Sequence, residues 1–247
     1  MAALRFHDLT LGYERHPAVH HLDGTVEAGA LLAVIGPNGA GKSTLFKGIS
    51  GALSPLAGSI DRNGFDPRDI AYLPQVPDID RSFPINVYDM VSMGLWRKKG
   101  LFGGIGSKDR AAVENAIAAV GLTGFEQRAI GTLSGGQMQR TLFARLLLQD
   151  AHVIVLDEPF TATDEHTAAD LLALVRRWHG EKRTVLAALH DIDLVKANFP
   201  ATLLLAREPV AWGATADVLT ADNLHKARRM CEAFDDQAAA CAAPEMA

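Results

Sequence analysis

Residues 36–44 read Gly36-Pro37-Asn38-Gly39-Ala40-Gly41-Lys42-Ser43-Thr44 and fit G-x-x-x-x-G-K-[ST], a spacing suited to holding phosphate groups. Gly39 and Gly41 permit backbone conformations in which successive N–H groups converge on phosphate oxygens, and the positive end of a following helix adds to the attraction. In that arrangement Lys42 reaches the β- and γ-phosphates of a nucleotide, Ser43 ligates Mg²⁺, and Thr44 is placed near the α-phosphate. Farther along, V-I-V-L-D-E-P at 153–159 ends an apolar run on two adjacent carboxylates. Asp157 is suited to hold Mg²⁺ through its water shell, and Glu158 to polarise the water that attacks the γ-phosphorus.

Both motifs need strands and helices to aim them. The apolar run L-L-A-V-I at 31–35 reads as a fully buried strand feeding the Gly-rich turn, with a helix after it. Before it, 4–13 reads as an imperfectly alternating strand, Leu4 and Phe6 giving way after a phase shift to Leu9 and Leu11, and a second strand is expected over Val19 to Val26. A helix is expected through Val113, Ile117 and Val120, entered from the Gly-rich connection G-L-F-G-G-I-G-S, and the stretch from about 86 to 140 has the look of an insertion. After V-I-V-L come a helix with Ala168, Leu171, Leu172, Val175 and Trp178 on one face and a strand at 184–189. Strands alternating with helices predict a parallel sheet wrapped by helices, an α/β fold whose ligands collect at the C-terminal ends of the strands.

Composition narrows the field. The 24 Lys and Arg against 29 Asp and Glu leave a formal charge of −5, which offers no general attraction to nucleic acid or to an anionic bilayer. No apolar stretch reaches membrane-spanning length, and the first residues lack the apolar core of a secretory signal, so a cytoplasmic location is expected. The two cysteines, Cys231 and Cys241, sit near the end and suggest neither a disulfide framework nor a zinc site. The histidines of H-P-A-V-H-H at 16–21 fall in the expected hairpin and are read as surface or packing residues.

The octapeptide Leu133-Ser134-Gly135-Gly136-Gln137-Met138-Gln139-Arg140 adds a hydroxyl and backbone donors at a helix start, again suited to an anion. Together with the loop at 36–44 and L-D-E-P, it makes the chain resemble the ATP-binding subunit of an ABC transporter, from about residue 4 to 225. The resemblance implies a P-loop NTPase with a RecA-like core, an N-terminal antiparallel β-subdomain and an inserted α-helical subdomain, all in one domain over 1–227; the Ala-rich sequence of the tail at 228–247 adds the expectation that its last ten residues fray. It implies ATP and Mg²⁺ as cofactors and a head-to-tail pair of copies, in which Ser134, Gly135 and Gly136 of one meet the γ-phosphate bound by the other. It also implies roles for Tyr13 as the adenine-stacking ring, Gln75 in Y-L-P-Q as a sensor of Mg²⁺ and the attacking water, and His190 as the switch histidine that holds Glu158. Asp164 falls at the family's dimer-contacting aspartate, although the usual S-A-L-D is T-A-T-D here.

The segment 77–96 and the following R-K-K-G-L-F-G-G are similar to ATPases of zinc and manganese importers, with zinc the favoured cargo. The partners so implied are an integral membrane permease, a second copy of the chain and, indirectly, a solute-binding protein. The chain would work peripherally at the cytoplasmic face of the membrane, and no nucleic acid is expected. Import of an iron chelate or another small solute is the alternative. A soluble, non-transport ABC protein is disfavoured by the short insertion, and a catalytically silent module by Lys42, Asp157, Glu158 and His190 occurring together.

Overall fold

The computed structural model describes residues 2–75, 80–100, 103–161 and 163–232. Residues 77–79 of the segment assigned to cargo, Leu101 and Phe102 of the Gly-rich connection, Ala162 of T-A-T-D, and the tail from 233 with Cys241 lie outside them. Two compact units are formed. One comprises the chain up to Pro74, His152–Glu158 and the residues from His179 onward, and the other comprises Gln75–Ala151 and Pro159–Trp178.

The first unit begins with a hairpin of β1 (Ala2–Tyr13) and β2 (His16–Glu27). Its turn is Glu14-Arg15, both residues at positive φ, the backbone a tight hairpin of right-handed twist requires. The phase shift read in 4–13 is a β-bulge: Phe6 pairs with Gly24 but Leu9 with Leu22, and Asp8 between them takes φ 43°. Leu4, Phe6, Leu9 and Leu11 therefore all point inward and are buried. β2 starts three residues before the expected Val19, because Gly12 and Tyr13 still pair with Pro17 and His16. The later β4 (Ala57–Asp61) adds to the other side of β1, completing an antiparallel sheet in the order β2-β1-β4.

The larger sheet contains β3 (Leu31–Ile35), β5 (Ile70–Leu73), β6 (Val153–Asp157), β7 (Thr184–Ala188), β8 (Ala201–Ala206) and β9 (Glu208–Ala214), in the order β5-β6-β7-β3-β8-β9. Its first five strands are parallel, and every residue of β3, β6 and β7 is buried, as their unbroken apolar runs require. The parallel expectation fails at one edge, where β9 pairs antiparallel with β8 across a one-residue turn at Arg207. Side chains from both sheets and from α1 (Lys42–Ile49), including Leu4, Leu11, Phe46, Val155 and Leu205, share one apolar core.

The second unit is helical: α2 (Val87–Ser92), the single turn α3 (Trp96–Lys99), α4 (Ser107–Ala119), α5 (Gly135–Gln149) and most of α6 (Glu165–Gly180). α5 packs against α2 and α4. Val113 and Ile117 are fully buried as their spacing predicts, while Val120 closes α4 as its cap. Phe143 of α5 stacks on Trp178 of α6, ring centroids 5.8 Å apart. Leu171, Val175 and Trp178 form the buried stripe of α6. The first unit closes with α7 (Ile192–Asn198), α8 (Thr215–Val218) and α9 (Ala221–Glu232), the last of which carries the chain past residue 227 without a break.

Candidate active site

β3 ends at Ile35 and the chain turns through Gly36–Gly41 into α1, as the apolar run and glycines predict. Gly39 (φ 79°) and Gly41 (φ 92°) lie in the left-handed region, and Gly41 is the N-cap residue of α1. A Cβ on Gly41 would also stand 2.4 Å from the carbonyl oxygen of Ala18, so the loop crest rests directly on β2. The first N–H groups of α1 have no partner within the helix and form, with the loop amides, a cradle for an anion. Lys42 is 7 % exposed, and its ammonium donates to the carbonyl oxygens of Gly36 (2.8 Å) and Pro37 (3.0 Å). Burial lowers its pKa, and the carboxylates of Glu158 and Asp157 work in the opposite direction.

Asp157 is the last residue of β6 and 2 % exposed. Burial raises its pKa, a hydrogen bond from Ser43 lowers it, and the neighbouring charge of Glu158 raises it again. Its Oδ1 is buried with no hydrogen-bond partner among the described residues. An orphaned, buried carboxylate oxygen beside a serine hydroxyl is what an oxygen-liganded Mg²⁺ requires, so the residues present fit that ion. Tyr72, on the adjacent strand β5, also favours the ionised form of Asp157. The motif Y-L-P-Q drew attention to Gln75 alone; strand alternation, which puts Tyr72 in register with Val155 and hence on the Asp157 side, was the signal for Tyr72.

Glu158 leaves the sheet at φ 49°, its N–H donating to the carbonyl of Ala188 (3.2 Å), two residues before the exposed His190. Thr44 is buried within α1. Tyr13 is 47 % exposed, with the Lys47 ammonium 5.7 Å from its ring centroid. These residues all belong to the first unit, while Gln75, Ser134, Gly135, Gly136 and Asp164 belong to the second.

In that second unit Gln75 is exposed, one residue after Pro74. Ser134 is the N-cap of α5 in a reciprocal capping box: its Oγ accepts from Gln137 N–H (3.2 Å) and its N–H donates to Gln137 Oε1 (3.0 Å). The Ser134 hydroxyl proton is not used in that box. Gly135 opens α5, and a Cβ on Gly136 would meet only Thr167 and Asp164 side-chain atoms at 3.6–3.8 Å, ordinary contact. The fold itself therefore does not demand a glycine at 136. Asp164 accepts from the N–H (2.8 Å) and hydroxyl (2.9 Å) of Thr167 in the first turn of α6, and these bonds lower its pKa.

Of the histidines at 16–21, His16 Nδ1 lies 3.1 Å from the Glu14 carbonyl and His21 Nδ1 2.6 Å from Asp8 Oδ1. Among the described residues no group of three or more His, Cys, Asp or Glu side chains is placed to hold a metal ion.

Residues 19–161 match the profile of the ABC transporter family. The chain belongs to that family. A manganese transport system ATP-binding protein of Synechocystis sp. is 38 % identical over 84 % of this chain and 82 % of its own length. A zinc transport system ATP-binding protein of Treponema pallidum is 37 % identical over 91 % of this chain and 86 % of its own. Among solved structures, a metal-chelate type ABC transporter in an inward-facing conformation superposes with a TM-score of 0.81 at 30 % identity, over 93 % of this chain and 90 % of that one. This ABC chain is accordingly a P-loop NTPase that binds ATP and hydrolyses it in a transporter.

Proposed function

We propose that the chain is the ATPase subunit of an importer for a divalent transition-metal ion, zinc in the first instance and manganese next. The observation that carries this reading is the likeness, over 84 % and 91 % of the chain, to ATP-binding proteins of manganese and zinc transport systems. The subunit would pair with a second copy and with an integral membrane permease, at the cytoplasmic face of the membrane, and be served indirectly by a solute-binding protein. Among the described residues no helix is long and apolar enough to cross a membrane, so the cargo path would lie in the permease.

In this reading the loop amides and Lys42 bind the ATP phosphates, and Tyr13 offers its exposed ring to the adenine. Ser43 and Asp157 would hold Mg²⁺, the ion would neutralise phosphate charge, and Gln75 keeps the role of sensing the ion and the attacking water that the family resemblance gives it. Glu158 orients water and accepts its proton, and His190 steadies Glu158 and the γ-phosphate. Ser134, Gly135, Gly136 and Asp164 would serve the nucleotide held by the partner copy.

The test is growth of a strain lacking the gene, in medium depleted of zinc, of manganese or of iron chelate. A defect relieved by zinc alone is the expected result. Relief by manganese alone would move the cargo to that ion. Relief by a metal chelate would favour a second reading, for which the likeness to a metal-chelate type transporter speaks.

A further inference from the structure

The phosphate loop is held from above by a backbone bridge that no motif announces. Arg207 is the one residue between β8 and β9, and it sits at φ 64°, a region a non-glycine residue enters at a cost. Both of its backbone polar groups leave the hairpin. Its N–H donates to the carbonyl of Ala40 in the phosphate loop (3.0 Å), and its carbonyl accepts from His20 N–H in β2 (2.8 Å).

His20 is available for that bond because β2 is irregular there. Leu9 pairs with Leu22 but Leu11 with Val19, so β2 carries an extra residue at His20-His21, with His21 at φ 44°. Such a bulge releases a backbone N–H from the ladder and re-aims it. Two close approaches complete the arrangement: a Cβ on Gly41 would collide with Ala18, and one on Gly36 would stand 2.0 Å from the Leu205 carbonyl oxygen. The loop is thus gripped between β2 and the end of β8, with Arg207 joining the two.

We propose that Arg207 is a positioning residue for ATP binding, its left-handed backbone rather than its guanidinium fixing the Ala40–Gly41 crest against β2. The inference rests on residues 36–44 being the ATP phosphate cradle. If it holds, the identity of residue 207 matters through its tolerance of positive φ. Glycine and asparagine adopt that conformation readily, alanine less so, and β-branched valine least.

The experiment is the affinity of the full chain for Mg²⁺-ATP by calorimetry, below every variant's unfolding transition, for Arg207→Gly, Arg207→Asn, Arg207→Ala and Arg207→Val. Arg207→Gly and Arg207→Asn should bind within about twofold of the parent, and Arg207→Val about three- to tenfold more weakly, with Arg207→Ala between them. In the assembled transporter the valine variant should raise KM for ATP and leave kcat at saturating ATP within about twofold, a split that general destabilisation would not give. If Arg207→Val cannot be obtained folded, the order of Arg207→Ala against Arg207→Asn carries the test. Parent-like binding by the valine and alanine variants would overturn the proposal. So would equal weakening of all four, which would assign the effect to the guanidinium. Lys42→Ala is the control: unchanged ATP affinity there would remove the cradle assignment itself, and the inference with it.

Discussion

Glu158 takes up φ 49° directly after a strand whose every residue is buried, and a side chain in that region costs of order 1 kcal/mol that the surroundings must offset. The bond from its N–H to Ala188 fixes this turn, so the carboxylate is aimed by the backbone before any ligand arrives. Replacing it by the isosteric amide keeps the turn and removes the proton acceptor. Glu158→Gln should therefore bind ATP with parent-like affinity and lose at least about 100-fold in turnover, measured by phosphate release beside equilibrium nucleotide binding. Wild-type turnover would remove Glu158 from the reaction. His21 supplies a second, separate prediction. Its hydrogen bond to Asp8 raises its pKa above 6.5, so the stability it contributes is fully present below pH 6.5 and is lost as pH rises through the folded-state value. Because the pair is largely exposed, the contribution should stay under about 1 kcal/mol. His21→Asn, which tolerates the left-handed backbone, should lower the urea midpoint at pH 5.5 and leave it unchanged at pH 8.5; a gap that widens toward alkaline pH would contradict the assignment.

At the scale of elements, α1 depends on a residue at the end remote from the Gly-rich loop. Arg62, just after β4, donates from Nε to the carbonyl of Ile49 (2.9 Å) and from Nη2 to that of Gly48 (2.7 Å), closing the C-terminal end of the helix whose N-terminus follows Gly41. Arg62→Met should cost roughly 1–3 kcal/mol of unfolding free energy, read from urea denaturation, because it leaves helix carbonyls without their charged donor. In the other unit, Trp178→Ala should cost about 3–5 kcal/mol by removing a fully buried indole stacked on Phe143; a loss under 1 kcal/mol would show that the stripe is not a core. These elements differ in how far their sequence betrays them. Leu31–Ile35 could be read because an unbroken apolar run can only be buried, and the bulge near Asp8 because it displaces Leu9 and Leu11 out of phase with Leu4 and Phe6. β9 was missed because Glu208–Ala214 is only partly buried, so its polarity pattern fits an edge strand of either direction. The left-handed residues Glu14, Arg15 and Arg207 gave no notice either: glycine, asparagine and aspartate are the types that mark positive φ, and at these positions glutamate and arginine take it up because the hairpin turns they form require it.

For the whole molecule, the proposed pairing of two copies makes hydrolysis a property of concentration. Specific ATPase activity of the isolated chain should rise with protein concentration instead of staying constant, because Ser134 and Gly136 would complete a site on another copy. Gly136→Asp isolates that claim, since the space around Gly136 admits a side chain without backbone collision. The variant should keep its thermal midpoint within about 3 °C and its affinity for a first ATP, yet lose most turnover; full activity at every concentration would refute the pairing. The bonds of Lys42 have a bearing on how the cradle is assembled. Its ammonium donates to the carbonyl oxygens of Gly36 and Pro37, so two of its three N–H donors are committed to its own loop and one is left to meet an anion. The side chain that carries the cradle's positive charge is thus tied down by the same turn that carries its backbone amides, and a change in either would be felt by the other.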